Sequence, residues 1–515
     1  MGLARGWAVA LAGVTGRIVA VEADVGDGLP GFGLIGLPDT ALSEARVRVQ
    51  AAVANSAEQW PKRKVTVSLS PADLHKRGAG FDLVLALVVL AAADVVPAAA
   101  LADTAVLGEL GLNGAVHGLR GVLPAVAAAA RSGLRRAIVP AVNLAEAALV
   151  EDIEVIGVAT LREALAVLRG DLDAGSTAVP NLWALSASPA LVPDLRDIRG
   201  QHEARWALEV AAAGGHSLFM HGTPGTGKTM LAERLPGLLP PLSAAAALEV
   251  TEIHSVAGAL PADVPLITVP PFRAPHHSAT QAAIVGGGSG EPRPGACSLA
   301  HHGILFLDEA TEFRGGVLDA LREPLESGHV VIARAGVTAR FPARFMLVLA
   351  ANPCSCGRSG SAPRTASCTC TSVMRRRYLG RLSRPLLDRI DLQVTVDRPS
   401  SAQLLDGPEG ESTALVAQRV LAARGRAGQR LVGTPWTVNA QVPARLLRTS
   451  MRVEPAATRV VQRALEQGTL SARGLDRVFR IAWTLADLAA RDRPGVDEVG
   501  GALALRTGAG WGWAA

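Results

Sequence analysis

Gly222-Thr223-Pro224-Gly225-Thr226-Gly227-Lys228-Thr229 is the stretch whose residue types and spacing are best suited to chemistry. It follows the apolar run Ser217–Met220 and precedes a helical pattern from Met230. A G-x-x-x-x-G-K-T string between a strand and a helix cradles phosphate. Its glycines let successive backbone N–H groups turn toward phosphate oxygens. In that reading Lys228 reaches the β- and γ-phosphates of ATP and Thr229 ligates Mg²⁺. The chain has four lysines, the others being Lys62, Lys64 and Lys76, so Lys228 is not a by-product of lysine abundance.

A second apolar strand, Gly303–Leu307, ends in Asp308 and Glu309. Asp308 is expected to hold the Mg²⁺ and Glu309 to polarise the water that attacks the γ-phosphate. A third, Phe345–Ala351, ends in Asn352-Pro353, which places Asn352 to orient that water. Arg389, with Arg384 as second choice, suits a finger supplied to a neighbouring subunit's phosphate, a surface pair with Asp388 or Asp391 being the alternative. Arg473 opens a later helix and could reach the γ-phosphate from a lid, although helical pattern alone reads it as exposed.

Four of the five cysteines form two close pairs, Cys354-x-Cys356 and Cys368-x-Cys370, eleven residues apart. Four thiolates on one short loop suit a tetrahedral structural Zn²⁺. Reduced surface thiols or a redox pair are the alternatives. His276 and His277 are adjacent and have no further ligand at useful spacing, so they predict a structural or DNA-facing loop.

At 515 residues the chain has room for two to four domains. Its net charge of +5 is too diffuse to demand a nucleic acid, and its single Tyr argues against recognition by aromatic stacking. The apolar Trp7–Val14 run has a basic flank but lacks a convincing cleavage site, and the alternating 18–25 segment reads as a strand. Leu83–Ala93 is too short to span a bilayer and predicts a buried helix. A cytoplasmic protein is expected. The pattern divides into a mixed domain (1–170), a linker (171–196), an α/β nucleotide-binding domain (197–400) with a cysteine loop (354–370), and a helical domain (401–515). Helices are expected at 122–131, 415–427, 456–467, 472–490 and 496–505.

The order of phosphate loop, acidic strand end, Asn, finger Arg and lid Arg resembles AAA+ ATPases. The 80 residues between Lys228 and Asp308 resemble the helix-2 insertion of the clade holding MCM helicases, MoxR proteins and magnesium chelatase ATPase subunits. Pro271-Phe272-Arg273-Ala274-Pro275-His276-His277, Ile198–Gln201, Ala211–His216 and Tyr378–Asp391 are similar to the YifB/ComM family of Mg-chelatase-like proteins. The resemblance covers essentially the whole chain. It implies an α/β multidomain fold with a central AAA+ parallel sheet and a C-terminal helical lid. It also implies a homo-oligomeric ring, a hexamer by family, that moves along DNA and drives branch migration or unwinding during transformation or recombination. Arg273, Arg334 and Arg340 are then candidate phosphate contacts.

Residues 65–140 resemble the proteolytic domain of Lon, through Ser70–Leu83 and Gly108–Leu119. The positions of Lon's Ser and Lys fall on Gly78 and near Leu123–Ala125, so the resemblance implies a Lon-protease-like fold without peptidase activity. Two rival functions remain: a magnesium-chelatase ATPase subunit, or a MoxR-like ATPase that remodels a protein client without DNA. Chelatase subunits are expected to resemble only the central and C-terminal parts of the chain.

Overall fold

A computed structural model describes the chain except residues 1, 37–43, 73, 75, 77, 172–174, 177–191, 262–263, 289–291, 335–336, 359–367, 407 and 509–515. Most of the expected linker and the middle of the cysteine loop lie outside the described residues.

The N-terminal run pairs as a hairpin. β1 (Gly2–Ala12) and β2 (Thr15–Gly26) are antiparallel from Gly2↔Val25 to Ala12↔Thr15. Gly13 closes the turn at φ +68°, a conformation glycine adopts without strain. β3 (Gly31–Ile35), β4 (Lys64–Ser70), β5 (Thr104–Val106), β6 (Arg136–Pro140) and β7 (Glu154–Val158) complete a seven-stranded sheet in the order β3-β4-β2-β1-β5-β6-β7. Alternation gives that sheet two apolar faces. Ala8 and Ala10 join the cluster built on Asp82–Ala92, whereas Val9 joins the one built on Val122–Arg131. All eleven residues of Asp82–Ala92 are buried, as expected of a helix apolar on every side.

The second sheet is parallel throughout. It comprises β8 (Leu218–His221), β9 (Phe272–Arg273), β10 (Ile304–Leu307), β11 (Met346–Ala351) and β12 (Leu392–Thr395), in the order β9-β10-β11-β8-β12. β10 and β11 are buried on both faces, which explains their uninterrupted apolar sequence. Leu218, Met220, Phe306 and Val348 face a core shared with the lid helices, while Phe219, Leu305, Leu307 and Leu349 face the insert side.

The lid helices are Thr413–Arg430, Pro455–Glu466, Ala472–Leu488 and Val496–Thr507, each within a few residues of its expected span except that the first runs further at its C-terminal end. A buried polar node ties them to the sheet. The Asp391 carboxylate accepts from the Ser217 N–H at 3.3 Å, lies 3.3 Å from His216 Nδ1, and is ion-paired with Arg477 of the lid. His216 Nε2 is 2.8 Å from Thr484 Oγ1, also on the lid. Burial opposes ionisation of Asp391, but the charge of Arg477, the His216 contact and Arg480 outweigh it, so its pKa lies well below the usual carboxylate range.

Asp391→Asn is expected to destabilise the ATPase–lid unit by about 3 kcal/mol, because Arg477 is left without its counter-charge in a largely buried site. A carboxyl whose folded pKa is depressed contributes stability above its unfolded pKa of roughly 3.9 and loses it as pH falls. Thermal melts should therefore show the wild-type advantage over Asp391→Asn at pH 7 shrinking below about pH 4.

Candidate nucleotide site and cysteine loop

The parallel register brings the expected site residues together. His221 pairs with Ala351 and Leu307 with Leu349, so the segments that begin at Gly222, Asp308 and Asn352 leave the sheet side by side at its C-terminal edge. Gly225 and Gly227 have φ of +76° and +89°, which lets the loop curl before Lys228 opens a helix. Lys228 Nζ fills that curl. It donates to Gly222 O at 2.7 Å, Thr223 O at 3.0 Å and Asn352 Oδ1 at 3.2 Å. Burial lowers the Lys228 pKa, with the carboxylates of Asp308 and Glu309 acting in the other direction. His221 is kept neutral beside it, its pKa pushed down to about 3 by burial and then by the Lys228 charge.

Thr229 Oγ1 donates to Asp308 Oδ2 at 2.6 Å. A hydroxyl and a carboxylate oxygen this close suit a hard cation that takes oxygen ligands, as Mg²⁺ does. Asp308 Oδ1 accepts from the Glu309 N–H at 2.8 Å. Glu309 itself has φ of +49°, unusual for a residue with a side chain. Its carboxylate extends to the insert, where Oε2 lies 3.2 Å from His277 Nδ1. His277, expected only as part of a loop, thus meets the proposed catalytic carboxylate. Gln201 was also invisible as a site residue. Its Nε2 donates to Thr226 O at 2.8 Å and Asp397 O at 2.7 Å, strapping the phosphate loop to the end of β12. Its φ of +54° was the one local sign, and sequence does not display that.

The arginines lie apart from this cluster within the chain. Arg389 donates to Pro385 O at 2.6 Å and pairs with Glu326. Arg384 is exposed at the start of the short helix Arg384–Leu387, which ends two residues before Arg389. Arg473 is exposed in the first turn of Ala472–Leu488. Arg334 and Arg340 lie exposed on an antiparallel hairpin, His329–Arg334 with Val337–Pro342. Gly13 of the N-terminal domain bridges to Arg340 at the hairpin's root. Arg273 is different: it is largely buried and its Nη2 lies 3.3 Å from His254 Nδ1, so the expectation of a phosphate contact there does not hold.

The cysteine pairs converge. Cys354 Sγ lies 3.2 Å from Cys356 Sγ and 3.7 Å from Cys368 Sγ, Cys356 Sγ lies 3.5 Å from Cys368 Sγ, and all four sulfurs fall within 4.8 Å of one another. Four thiolates around a zinc at about 2.3 Å would lie roughly 3.8 Å apart, so the set fits that ion. The Arg358 N–H and then the neighbouring thiols pull the Cys356 pKa down to about 6, which favours the thiolate. The loop also abuts the phosphate loop. A Cβ at Gly357, where φ is +73°, would lie 2.6 Å from Pro224 Cγ.

A second convergent cluster does not suit a metal. Glu249 Oε2 lies 3.0 Å from both His301 Nε2 and His302 Nε2. His301 Nδ1, however, accepts the Arg344 N–H at 2.9 Å, so the neutral ring carries its proton on Nε2 and has no lone pair there for an ion. The hydrogen bonds from the two histidines hold the Glu249 carboxyl well below its usual range.

Three family matches tile the chain. Residues 194–404 match the family described as magnesium chelatase, subunit ChlI, residues 410–506 its C-terminal family, and residues 21–143 the family described as subunit ChlI of Mg-chelatase. An uncharacterized protein of Mycobacterium tuberculosis is 51% identical over 99% of this chain and all of its own length. Competence protein ComM of Haemophilus influenzae is 40% identical over 95% of this chain and 94% of its own. The magnesium-chelatase 38 kDa subunit of Rhodobacter capsulatus is 30% identical over 30% of this chain and 49% of its own. The match at 21–143 also carries the chelatase name, while the chelatase subunit itself matches 30% of this chain.

Lys228→Ala should weaken binding of a fluorescent ATP analogue by about tenfold or more, since a charge-assisted hydrogen bond contributes roughly 1.5–3 kcal/mol. Titration of the purified variant against wild type measures it.

Proposed function

Because the chain belongs to the YifB/ComM family of magnesium-chelatase-like AAA+ ATPases, we propose that it is an ATP-driven ring motor acting on DNA, in branch migration or unwinding. The observation that carries the ATPase part is the convergence of Lys228, the Thr229–Asp308 pair, Glu309 and Asn352 at one edge of the parallel sheet. In this reading the backbone from Gly222 through Thr223, Pro224, Gly225, Thr226 and Gly227 encloses the phosphates, and Lys228 exchanges its carbonyl partners for phosphate oxygens. Asp308 and Thr229 would hold Mg²⁺, which when bound neutralises phosphate charge. Glu309 takes the proton of the attacking water and Asn352 orients that water. Arg389, with Arg384 beside it, serves a neighbouring copy, and Arg473 closes from the lid.

The DNA part rests on the likeness to competence protein ComM over nearly the whole chain and on the exposed Arg334 and Arg340 of the hairpin. Basic side chains on such a hairpin suit a phosphate backbone. The chelatase-type reading is less favoured, because the chelatase subunit matches under a third of this chain and ComM matches nearly all of it. A MoxR-like ATPase acting on a protein client is the remaining alternative. The four cysteines are assigned a structural zinc that braces the segment after Asn352.

Steady-state ATPase at fixed low salt, with and without single-stranded and branched DNA, tests the proposal. Glu309→Gln is expected to lower the rate about 100-fold, the scale of a lost general base. DNA should raise the wild-type rate severalfold, with that gain fading as salt rises. A Glu309-dependent rate indifferent to every DNA would sink the motor reading and favour a protein client. Elemental analysis should find one zinc per chain, lost in a Cys354→Ser/Cys368→Ser variant. Metal-free wild-type protein of full ATPase activity would refute the bracing role.

A further inference from the structure

The turn that joins β1 to β2 reaches out of its own domain. Gly13 and Val14 form it, and Gly13 is buried although it stands at the tip of a hairpin. The ATPase domain covers it: Gly13 bridges in parallel to Arg340. A Cβ at Gly13 would lie 2.9 Å from Arg340 O and 3.4 Å from Ala339 Cβ, so only glycine allows this approach. Val14 follows it in. It is half-buried and packs on the apolar cluster of the insert side. That cluster holds Val330, Ile332, Ala339 and Phe341 of the arginine hairpin together with Leu305 and Leu307 of β10.

The register of the hairpin separates its two faces. Val330 pairs with Phe341 and Ile332 with Ala339, and these four enter the core. Arg340 pairs with Val331 on the other face, where both are exposed. The bridge to Gly13 therefore uses the backbone of Arg340 and leaves its side chain outside, with Nη2 3.2 Å from His329 Nδ1. Arg334 lies further along the ribbon and is exposed as well. A two-stranded ribbon has little stability of its own, so its direction is set by what it packs against. Here part of that packing comes from the N-terminal domain. A second tie lies close by. The Gly121 N–H donates to Ser255 O at 3.2 Å, and Val256 packs on the same apolar cluster as Val14.

We propose that the Gly13–Val14 turn is a positioning element through which the N-terminal domain orients the arginine hairpin on DNA. This inference rests on the DNA reading given above. Gly13 and Val14 touch no phosphate themselves. They fix the ribbon near its root, so that Arg334 and Arg340 meet the phosphate backbone in one orientation and less ordering remains to be done on binding. The hairpin follows the N-terminal domain, and that domain acquires a role that asks for no catalytic group of its own.

The test uses full-length wild type, Val14→Asp, Thr15→Asp, Arg334→Ala/Arg340→Ala and the combined triple variant of Val14→Asp with the arginine pair. Binding of a fluorescent single-stranded oligonucleotide is titrated at several salt concentrations, and steady-state ATPase is measured without DNA. Val14→Asp sets a carboxylate in the apolar contact. It should weaken oligonucleotide binding about tenfold and flatten its salt dependence as Arg334→Ala/Arg340→Ala does. The triple variant should bind no more weakly than the arginine pair variant, because the turn acts only through those side chains. The DNA-free rate should stay at the wild-type value. Thr15→Asp adds the same charge at an exposed position one residue along and should leave binding as it was. Should Val14→Asp not be recovered folded, Val14→Ala removes the apolar contact alone and carries the same comparison, with a loss of about threefold. Wild-type affinity and salt dependence in the Val14 variant overturn the assignment. So do a triple variant weaker than the arginine pair variant, an equal loss in Thr15→Asp, and a DNA-free rate that falls in step with binding. If wild type itself binds no oligonucleotide, the DNA reading fails and this inference with it; if wild type binds and the Val14 variant matches it, this inference fails alone.

Discussion

Asp391 is the residue on which the relation between sheet and lid depends. Its carboxylate is almost fully buried, and a buried charge is costly unless paired and hydrogen-bonded. Every partner it recruits fixes a different part of the site. Ser217 and His216 stand at the entry to β8, the strand that delivers the phosphate loop. Arg477 is one turn beyond Arg473 on the helix Ala472–Leu488, so the pair fixes the helix that carries Arg473. Two residues before Asp391 comes Arg389, whose main-chain carbonyl accepts from Ser217 Oγ at 3.1 Å. One ionised group thus sets the 222–229 loop, the segment carrying Arg389 and the helix Ala472–Leu488 in register.

The same logic of connected loops recurs on the insert side. The helix Ala244–Ala257 carries Glu249, which grips His301 and His302 just before β10 begins. That helix also meets the N-terminal domain: Ser255 donates to the Glu146 carboxylate, and the Gly121 N–H donates to Ser255 O. A small apolar cluster of Leu123, Leu149, Ala247 and Leu266 closes the contact. The N-terminal domain is therefore one helix away from the strand that presents Asp308 and Glu309. Interfaces with a few polar anchors around a small apolar patch resemble those between domains that move relative to one another.

Much of this was legible in the sequence because local rules were enough. Gly225, Gly227 and Lys228 announce their loop through backbone conformation, and unbroken apolar runs announce β10 and β11 through burial on both faces. Leu83–Ala93 read as a buried helix for the same reason. What stayed hidden depends on tertiary pairing. Strand order, not local pattern, puts His277 against Glu309, and Gln201 matters because β12 ends next to the phosphate loop. Arg273 shows the converse. The arginine of the insert reads as a candidate phosphate contact, yet the fold tucks it against His254. The hairpin Gly2–Gly26 was half-legible: the alternating second strand stood out, while the apolar first strand resembled a leader.

Geometry also separates two sets of ligand-like residues that a sequence would treat alike. Glu249, His301 and His302 converge as closely as the cysteines do, yet the backbone N–H of Arg344 fixes the His301 tautomer and closes the set to a cation. Such a set is a brace, saturated by its own hydrogen bonds. The cysteine sulfurs instead lie against one another, Cys354 Sγ 3.2 Å from Cys356 Sγ and 3.7 Å from Cys368 Sγ, and Cys356 Sγ 3.5 Å from Cys368 Sγ. Four thiolates at that spacing would repel one another, and a cation among them would relieve the repulsion. Gly357 then matters for a reason apart from flexibility. With no Cβ, it lets the loop rest against Pro224, so whatever fixes the four sulfurs also bears on the backbone of the 222–229 loop.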